Sequence, residues 1–149
     1  MLKINLPEGI QETDQLKAVI KINVGKYYYI SRAITFKFIK DELTKTYAQY
    51  KYSREGAYTD HLYFPIVVKM VEKAIETVSF EIVFTSQSGY EVLKEELKLL
   101  QESFGKKMCL NANSIPYVAK FKTPKSTSKW LTHNEFLNFK KLLSKISPK

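Results

Sequence analysis

Cysteine is nearly absent from this sequence, since Cys109 is the single one in 149 residues. A lone cysteine excludes an internal disulfide and a cysteine-rich zinc site, so nothing points to an oxidising compartment. We expect Cys109 to act as a small buried apolar residue. Arginine is also scarce, with Arg32 and Arg54 as the only two among 24 basic residues. Because reading of base edges favours the arginine fork, sequence-specific recognition of nucleic acid is not expected.

Long apolar runs are missing as well. No segment approaches the roughly 20 apolar residues that span a bilayer, and the amino terminus shows no apolar stretch of signal-peptide length. We therefore expect no membrane partner, and a location inside a cell or within a virus particle. Glycine-rich phosphate loops, Ser-His-Asp sets and metal-spaced histidine pairs are absent too, which leaves most enzyme classes without support. His61, in a polar loop, stays open as an isolated general base.

What the chain does have is a globular composition and a basic surface. Hydrophobic residues make up 44% of it, aromatic residues 13%, and the formal net charge is +9. This length and composition predict one domain with a substantial core. A positive surface concentrates polyanions, so nucleic acid is a candidate partner, and a solvated lysine-rich surface without a partner is the alternative.

Residues 17–32, which read KAVIKINVGKYYYISR, predict a β-hairpin. An apolar strand begins at Ala18, turn residues occupy 23–26, and an aromatic return strand begins at Tyr27. Residues 34–50 and 63–75 predict two helices, the second of them apolar on most faces.

A third strand and a third helix follow in the sequence. The strand is indicated by apolar residues that alternate with others and share one buried face: Val78, Phe80, Ile82 and Phe84. Ser88 and Glu91 then form a capping-box pattern that opens a helix, and Gly105 can end it. The predicted order is strand, strand, helix, helix, strand, helix.

The segments GKYYYIS, FEIVF, KEELKLLQ and CLNAN, in this order, resemble the GIY-YIG nuclease family over residues 16–115. Residues 29–31 stand in the place of the second family triplet, and residues 18–20 in the place of the first. The resemblance implies an α+β domain over residues 1–115, with a small three-stranded antiparallel sheet flanked by helices. It also implies the chemistry of a Mg²⁺-dependent endonuclease.

Two residues match the site that this resemblance implies, and a third, Arg32, is a candidate from outside the family pattern. Tyr29 matches the second family tyrosine, although Tyr28 takes the role if the hairpin register shifts by one residue. Glu96 matches the family glutamate better than Glu95 does, and would be both a catalytic residue and the Mg²⁺ ligand. Arg32, just after the hairpin, is the candidate for contacting the phosphate.

Two catalytic positions of the family depart from the pattern, whereas Ser31 in place of the glycine of the second triplet is a small change. The first family tyrosine falls on Ile20, which cannot exchange a proton, and the catalytic arginine falls on Ile39, beside Phe38 and Lys40. Loss of fixed charge at a scissile phosphate costs orders of magnitude in rate. We therefore expect a domain that has lost catalysis and serves as a structural component of an assembly, such as a bacteriophage particle, with protein subunits and DNA as partners. A divergent endonuclease and a non-specific basic nucleic-acid-binding module are the alternatives.

Residues 116–149 predict a basic linker and an amphipathic helix. Thr132 and Glu135 form a second capping-box pattern, and Phe139 and Leu143 share one helix face. Such a helix packs on its own domain or on a partner. Trp130, in the linker, anchors either contact or stacks on a nucleotide. The predicted nucleic-acid-binding residues are Lys26, Lys37, Lys40 and Trp130.

Overall fold

The computed structural model describes residues 2–53, 63–111 and 130–146. His61 and most of the predicted basic linker lie outside these ranges. The described residues form an α+β fold, as the sequence predicted, with elements in the order β1 (Lys3–Asn5), β2 (Ala18–Val24), β3 (Tyr27–Ala33), α1 (Phe36–Ser53), α2 (Phe64–Lys73), β4 (Thr77–Thr85), α3 (Gly89–Glu102) and α4 (His133–Ile146). Among them there is no helix with the length and apolar character needed to cross a bilayer.

The sheet has four strands in the order β1-β4-β2-β3. Strand β2 pairs antiparallel with both β3 and β4, whereas β1 pairs parallel with β4. The predicted sheet of three antiparallel strands is therefore wrong in detail, since a fourth, parallel strand completes a mixed sheet. Only three residues form β1, and Ile4 alone among them is half-buried. So short a segment carries too little alternation to be recognised as a strand.

The hairpin between β2 and β3 turns more tightly than predicted. Val24 pairs with Tyr27, so the loop consists of Gly25 and Lys26. Gly25 has a φ of 59°, a left-handed value that glycine adopts without strain and that short hairpin loops require. Space is limited there as well, because a Cβ atom on Gly25 would lie 3.1 Å from Cδ1 of Ile75.

The two faces of the sheet bury two apolar clusters. The first core lies under α1 and α2, and includes Ile22 and Tyr29 from the hairpin. The second core lies under α3 and α4, and includes Val19 and Ile30. Because alternate residues of a strand point to opposite faces, β2 and β3 contribute to both cores.

A β-bulge in β4 changes which core its last residues enter. Ile20 pairs with Ile82 while Val19 pairs with Phe84, so Val83 is the extra residue. Phe84 consequently packs in the second core and not with Val78, Phe80 and Ile82 in the first. The prediction that all four share one face was wrong at Phe84.

Both predicted helix starts are confirmed by their capping bonds. The Ser88 hydroxyl accepts a hydrogen bond from the Glu91 amide at 3.3 Å, at the start of α3. At the start of α4, the Thr132 hydroxyl accepts from the Glu135 amide at 3.2 Å, and the Glu135 carboxylate accepts from the Thr132 amide at 2.9 Å. Each bond satisfies an amide that the first helical turn leaves without an intrahelical partner.

Helix α4 packs on its own chain. Phe139 and Leu143 are buried in the second core together with Leu93 and Leu97 of α3. The ring of Phe139 meets that of Tyr90 edge to face, with centroids 5.9 Å apart. This packing brings residues 130–132, just before α4, close to the start of α3.

Candidate functional site

Two of the three predicted catalytic residues contact each other directly. Arg32 lies near the end of β3 and Glu96 in the middle of α3, which packs across that strand. Nε of Arg32 lies 2.6 Å from Oε1 of Glu96, and the two side chains are only 16% and 9% exposed. The pair therefore forms a largely buried ionic contact that joins the sheet to α3.

Trp130 covers the Arg32 side of this pair. The guanidinium carbon of Arg32 lies 5.6 Å from the centre of the Trp130 ring, within the range of a cation–π contact. The Trp130 backbone is held in turn against Gly89, where an added Cβ atom would lie within 1.8 Å of the Trp130 carbonyl oxygen. We name Arg32, Glu96 and Trp130 the arginine cluster.

Tyr29 lies on the other face of β3, in the first core, and is 2% exposed. Its ring meets that of Tyr63 edge to face, with centroids 5.8 Å apart. Burial raises the pKa of Tyr29 far above its ordinary value, and the nearby Tyr63 and Glu96 add to the shift. Burial also raises the pKa of Tyr63 to about 12, although a hydrogen bond with Ser31 opposes the shift. Both phenols therefore stay neutral across the physiological pH range.

Tyr63 was not predicted as a site residue. It directly precedes α2, and in the sequence it is the first residue of the apolar run that predicts this helix. The available signal was a hydroxyl group at the edge of an apolar run, which needs a polar partner when it is buried. Ser31 provides that partner.

The hairpin register places Tyr28 and Tyr29 on opposite faces of β3. Tyr28 points to the α3 face, where its hydroxyl donates a hydrogen bond to Oγ of Ser103 at 3.0 Å. Tyr29 points to the opposite face, where burial raises its pKa and the charge of Glu96 adds to the shift, as it also does for Tyr63. The structure thus brings Arg32 and Glu96 into contact, and places Tyr29 within electrostatic reach of Glu96 but in a different core.

The two catalytic positions at which the family pattern fails are both in the apolar interior. Ile20 is 0% exposed and Ile39 is 2% exposed, and both belong to the first core beside Leu43. No proton donor or fixed charge is available from either side chain.

The predicted nucleic-acid-binding residues do not form one surface. Lys37 pairs with Asp41 at 3.0 Å and Lys40 with Glu12 at 2.6 Å, both at the start of α1. Lys26 lies in the hairpin loop, at the other end of β3. Trp130, the fourth of them, contacts Arg32 in the arginine cluster.

Asn111 closes the outer edge of β3 and was not predicted to have a role. Its Oδ1 accepts from the Ile30 amide at 3.0 Å, and its Nδ2 donates to the Ile30 carbonyl at 2.7 Å. The backbone of Tyr28 pairs in the same way, donating to Met108 and accepting from Leu110. Residues 108–111 thus occupy hydrogen-bonding groups that an edge strand would otherwise expose.

Within the part of the chain that the structure describes, no group of three His, Cys, Asp or Glu side chains gathers as a metal site. No protein-family model, curated protein or solved structure matches the chain. The contacts of the site residues are therefore the basis for a functional proposal.

Proposed function

We propose that this chain is a GIY-YIG-like domain that has lost nuclease activity and serves as a structural component of a larger assembly, such as a bacteriophage particle. The observation that carries the proposal is the contact of 2.6 Å between Arg32 and Glu96. Glu96 stands in the place of the family's metal ligand. A guanidinium at this distance neutralises the carboxylate and competes with any cation for the same oxygen.

The surroundings of Glu96 support the same proposal. A catalytic Mg²⁺ needs open coordination positions for water and for phosphate oxygens. The Glu96 side chain is 9% exposed, and Trp130 covers its partner Arg32. The residues present therefore do not fit a resident Mg²⁺ unless Arg32 moves away.

The side chains at the acid–base positions of a nuclease site are not suited to catalysis either. Ile20 and Ile39 are apolar and buried where the family has a tyrosine and an arginine. Tyr29 is buried and neutral, so it cannot act as a base near neutral pH.

A role in an assembly is supported by exposed apolar side chains at the start of α1, where Ile34 is 38% exposed and Phe38 is 60% exposed.

A divergent Mg²⁺-dependent endonuclease is the second candidate. The contact between Arg32 and Glu96, with Tyr29 near enough for its pKa to sense Glu96, favours this candidate. In it, Arg32 would leave Glu96 to contact a substrate phosphate, and the freed carboxylate would bind Mg²⁺.

A cleavage assay separates the two candidates. Plasmid DNA and single-stranded DNA and RNA would be incubated with the protein and Mg²⁺ or Mn²⁺, with an EDTA control. Glu96→Gln removes the charge and keeps the size of the side chain. Glu95→Gln, on the next residue of the same helix, is the matched control, and circular dichroism verifies that each variant is folded.

We expect no cleavage above the EDTA background from the folded unmodified protein. Cleavage that needs the metal, persists in Glu95→Gln and disappears in Glu96→Gln would overturn the proposal and establish the endonuclease. Cleavage that is indifferent to Glu96→Gln would indicate a contaminating nuclease, which a further purification step must remove before the assay is scored.

A further inference from the structure

A second group of charged and aromatic side chains lies at the hairpin end of β3, away from the arginine cluster. Tyr27 begins this strand and Arg32 is five residues further on, about 16 Å along an extended chain. The Tyr27 ring has Nζ of Lys69 at 4.7 Å and Nζ of Lys26 at 5.8 Å from its centre. Two ammonium groups from different elements therefore meet at one half-buried aromatic ring.

Two further lysines reach the same end of the sheet through the segment that closes β3. The Tyr28 amide donates to the Met108 carbonyl at 2.9 Å, and Tyr28 forms a parallel bridge with Cys109. This pairing places Lys106 and Lys107 beside the start of β3, and both are exposed. We name Lys26, Tyr27, Lys69, Lys106 and Lys107 the hairpin-end patch.

Positive charge predominates in this patch. Lys69 pairs with Glu72 at 3.3 Å, which holds its ammonium group beside Tyr27. Lys26, Lys106 and Lys107 are exposed and contribute three further positive charges. Lysines bind phosphate as point charges, so four of them at one end of the sheet, two of which lie beside the Tyr27 ring, suit a chain of phosphates without favouring any base.

We propose that the hairpin-end patch binds single-stranded nucleic acid without sequence preference. The lysines contact successive phosphates, and a base stacks on Tyr27 in the place that the exposed Lys26 ammonium group takes in the free protein. A single strand fits better than a duplex, because only unpaired bases can leave their neighbours to stack on an aromatic ring. This binding surface is separate from the arginine cluster and does not depend on whether the chain cleaves nucleic acid.

The test is a salt titration of binding to a fluorescent oligothymidine of about 15 nucleotides, a length that spans one such site. The patch variant combines Lys26→Gln, Lys106→Gln and Lys107→Gln. The matched control removes the same charge from exposed lysines elsewhere, with Lys45→Gln, Lys94→Gln and Lys145→Gln. Fluorescence anisotropy gives the Kd at each salt concentration.

We expect the patch variant to reduce the slope of log affinity against log salt by about 2, since each lysine contact with a single strand contributes about 0.7. The control variant should keep the slope of the unmodified protein. Tyr27→Ala should weaken binding of the oligothymidine about tenfold, and Tyr27→Phe should restore it, because a phenyl ring also stacks.

Four outcomes would overturn the proposal. If the patch and control variants reduce the affinity and its salt slope equally, the whole basic surface binds nucleic acid by diffuse electrostatic attraction. Binding that Tyr27→Ala leaves unchanged would remove the stacking contact, and a duplex of the same length that binds more tightly would remove the preference for single strands. Absence of binding at low salt would exclude the site altogether.

Discussion

At the scale of single residues, burial determines what the ionic contact between Arg32 and Glu96 does for the protein. Both side chains lie mostly away from water, so each charge depends on the other for compensation. Charged groups lose much of their hydration on burial, which is unfavourable. The contact between the two charges mainly offsets this cost and adds little net stability beyond it. The pair consequently stabilises one arrangement of α3 on β3.

We predict that Glu96→Ala lowers the free energy of unfolding by about 3 kcal/mol, because it leaves the Arg32 charge buried without its counterion. Urea unfolding followed by circular dichroism measures the change. The double variant Arg32→Met with Glu96→Leu should regain most of the loss, since apolar residues of similar size remove both charges. If the double variant is as unstable as the single one, the Arg32 charge is not the cause.

The buried tyrosines predict a loss of stability in alkaline solution. Tyr63 has a pKa of about 12 in the folded protein against an ordinary value of 10.0, so the unfolded chain releases its proton first. The contribution of such a tyrosine to the free energy of unfolding is fully present below about pH 10. As the pH rises from there, the free energy of unfolding falls by about 1.4 kcal/mol per pH unit for each such tyrosine.

Urea unfolding between pH 9 and pH 11 measures this decline. Tyr63→Phe should make it shallower, because phenylalanine has no proton to release. Tyr52 is 76% exposed, so Tyr52→Phe serves as the matched control and should leave the decline unchanged. An identical decline in both variants would show that Tyr63 is not responsible for it.

At the scale of elements, the start of α3 fits closely against the segment that leads into α4. Gly89 follows the Ser88 cap, and there is no room for a Cβ atom on it because of the Trp130 carbonyl. In the interior of a helix, glycine is less favourable than alanine by about 0.5–1 kcal/mol. Here the contact between elements outweighs the local preference.

We predict that Gly89→Ala destabilises the protein and moves Trp130 away from Arg32. Trp130 is the single tryptophan, so its fluorescence reports directly on this contact. Its emission should shift to longer wavelength as the ring becomes more exposed. Gln101→Ala, at an exposed position of the same helix, is the matched control and should change neither stability nor emission. A more stable Gly89→Ala with unchanged emission would contradict the close fit.

At the scale of the whole molecule, β2 joins the two cores. Val19 lies in the second core and the neighbouring Ile20 in the first, so neither core keeps its packing if β2 is lost. Small domains whose parts share buried residues in this way usually unfold in one step.

We predict that the two cores unfold together in urea. Trp130 fluorescence follows the second core, and circular dichroism follows the helices on both faces. The two midpoints should coincide for the unmodified protein. A Trp130 transition at a clearly lower urea concentration would show that α4 and the segment before it separate before the sheet unfolds.

The sequence by itself determined the local structure of this protein. The hairpin, the Ser88 and Thr132 helix caps, and three of the four strands and all four helices of the described residues follow from periodicity and from turn and cap residues, which act between near neighbours. The order of the predicted strands and helices likewise indicated the α+β fold, and the composition indicated a substantial core. Burial of Cys109, which is 1% exposed, followed from its residue type.

Only the tertiary structure decided the contacts between distant residues. It added β1 beside β4, turned Phe84 into the second core through the bulge at Val83, and placed Tyr63 against Tyr29. It also paired Arg32 with Glu96, where the sequence suggested a catalytic arginine and a metal ligand. Strand register and the partners of a buried charge depend on which surfaces meet, and no local pattern contains that information.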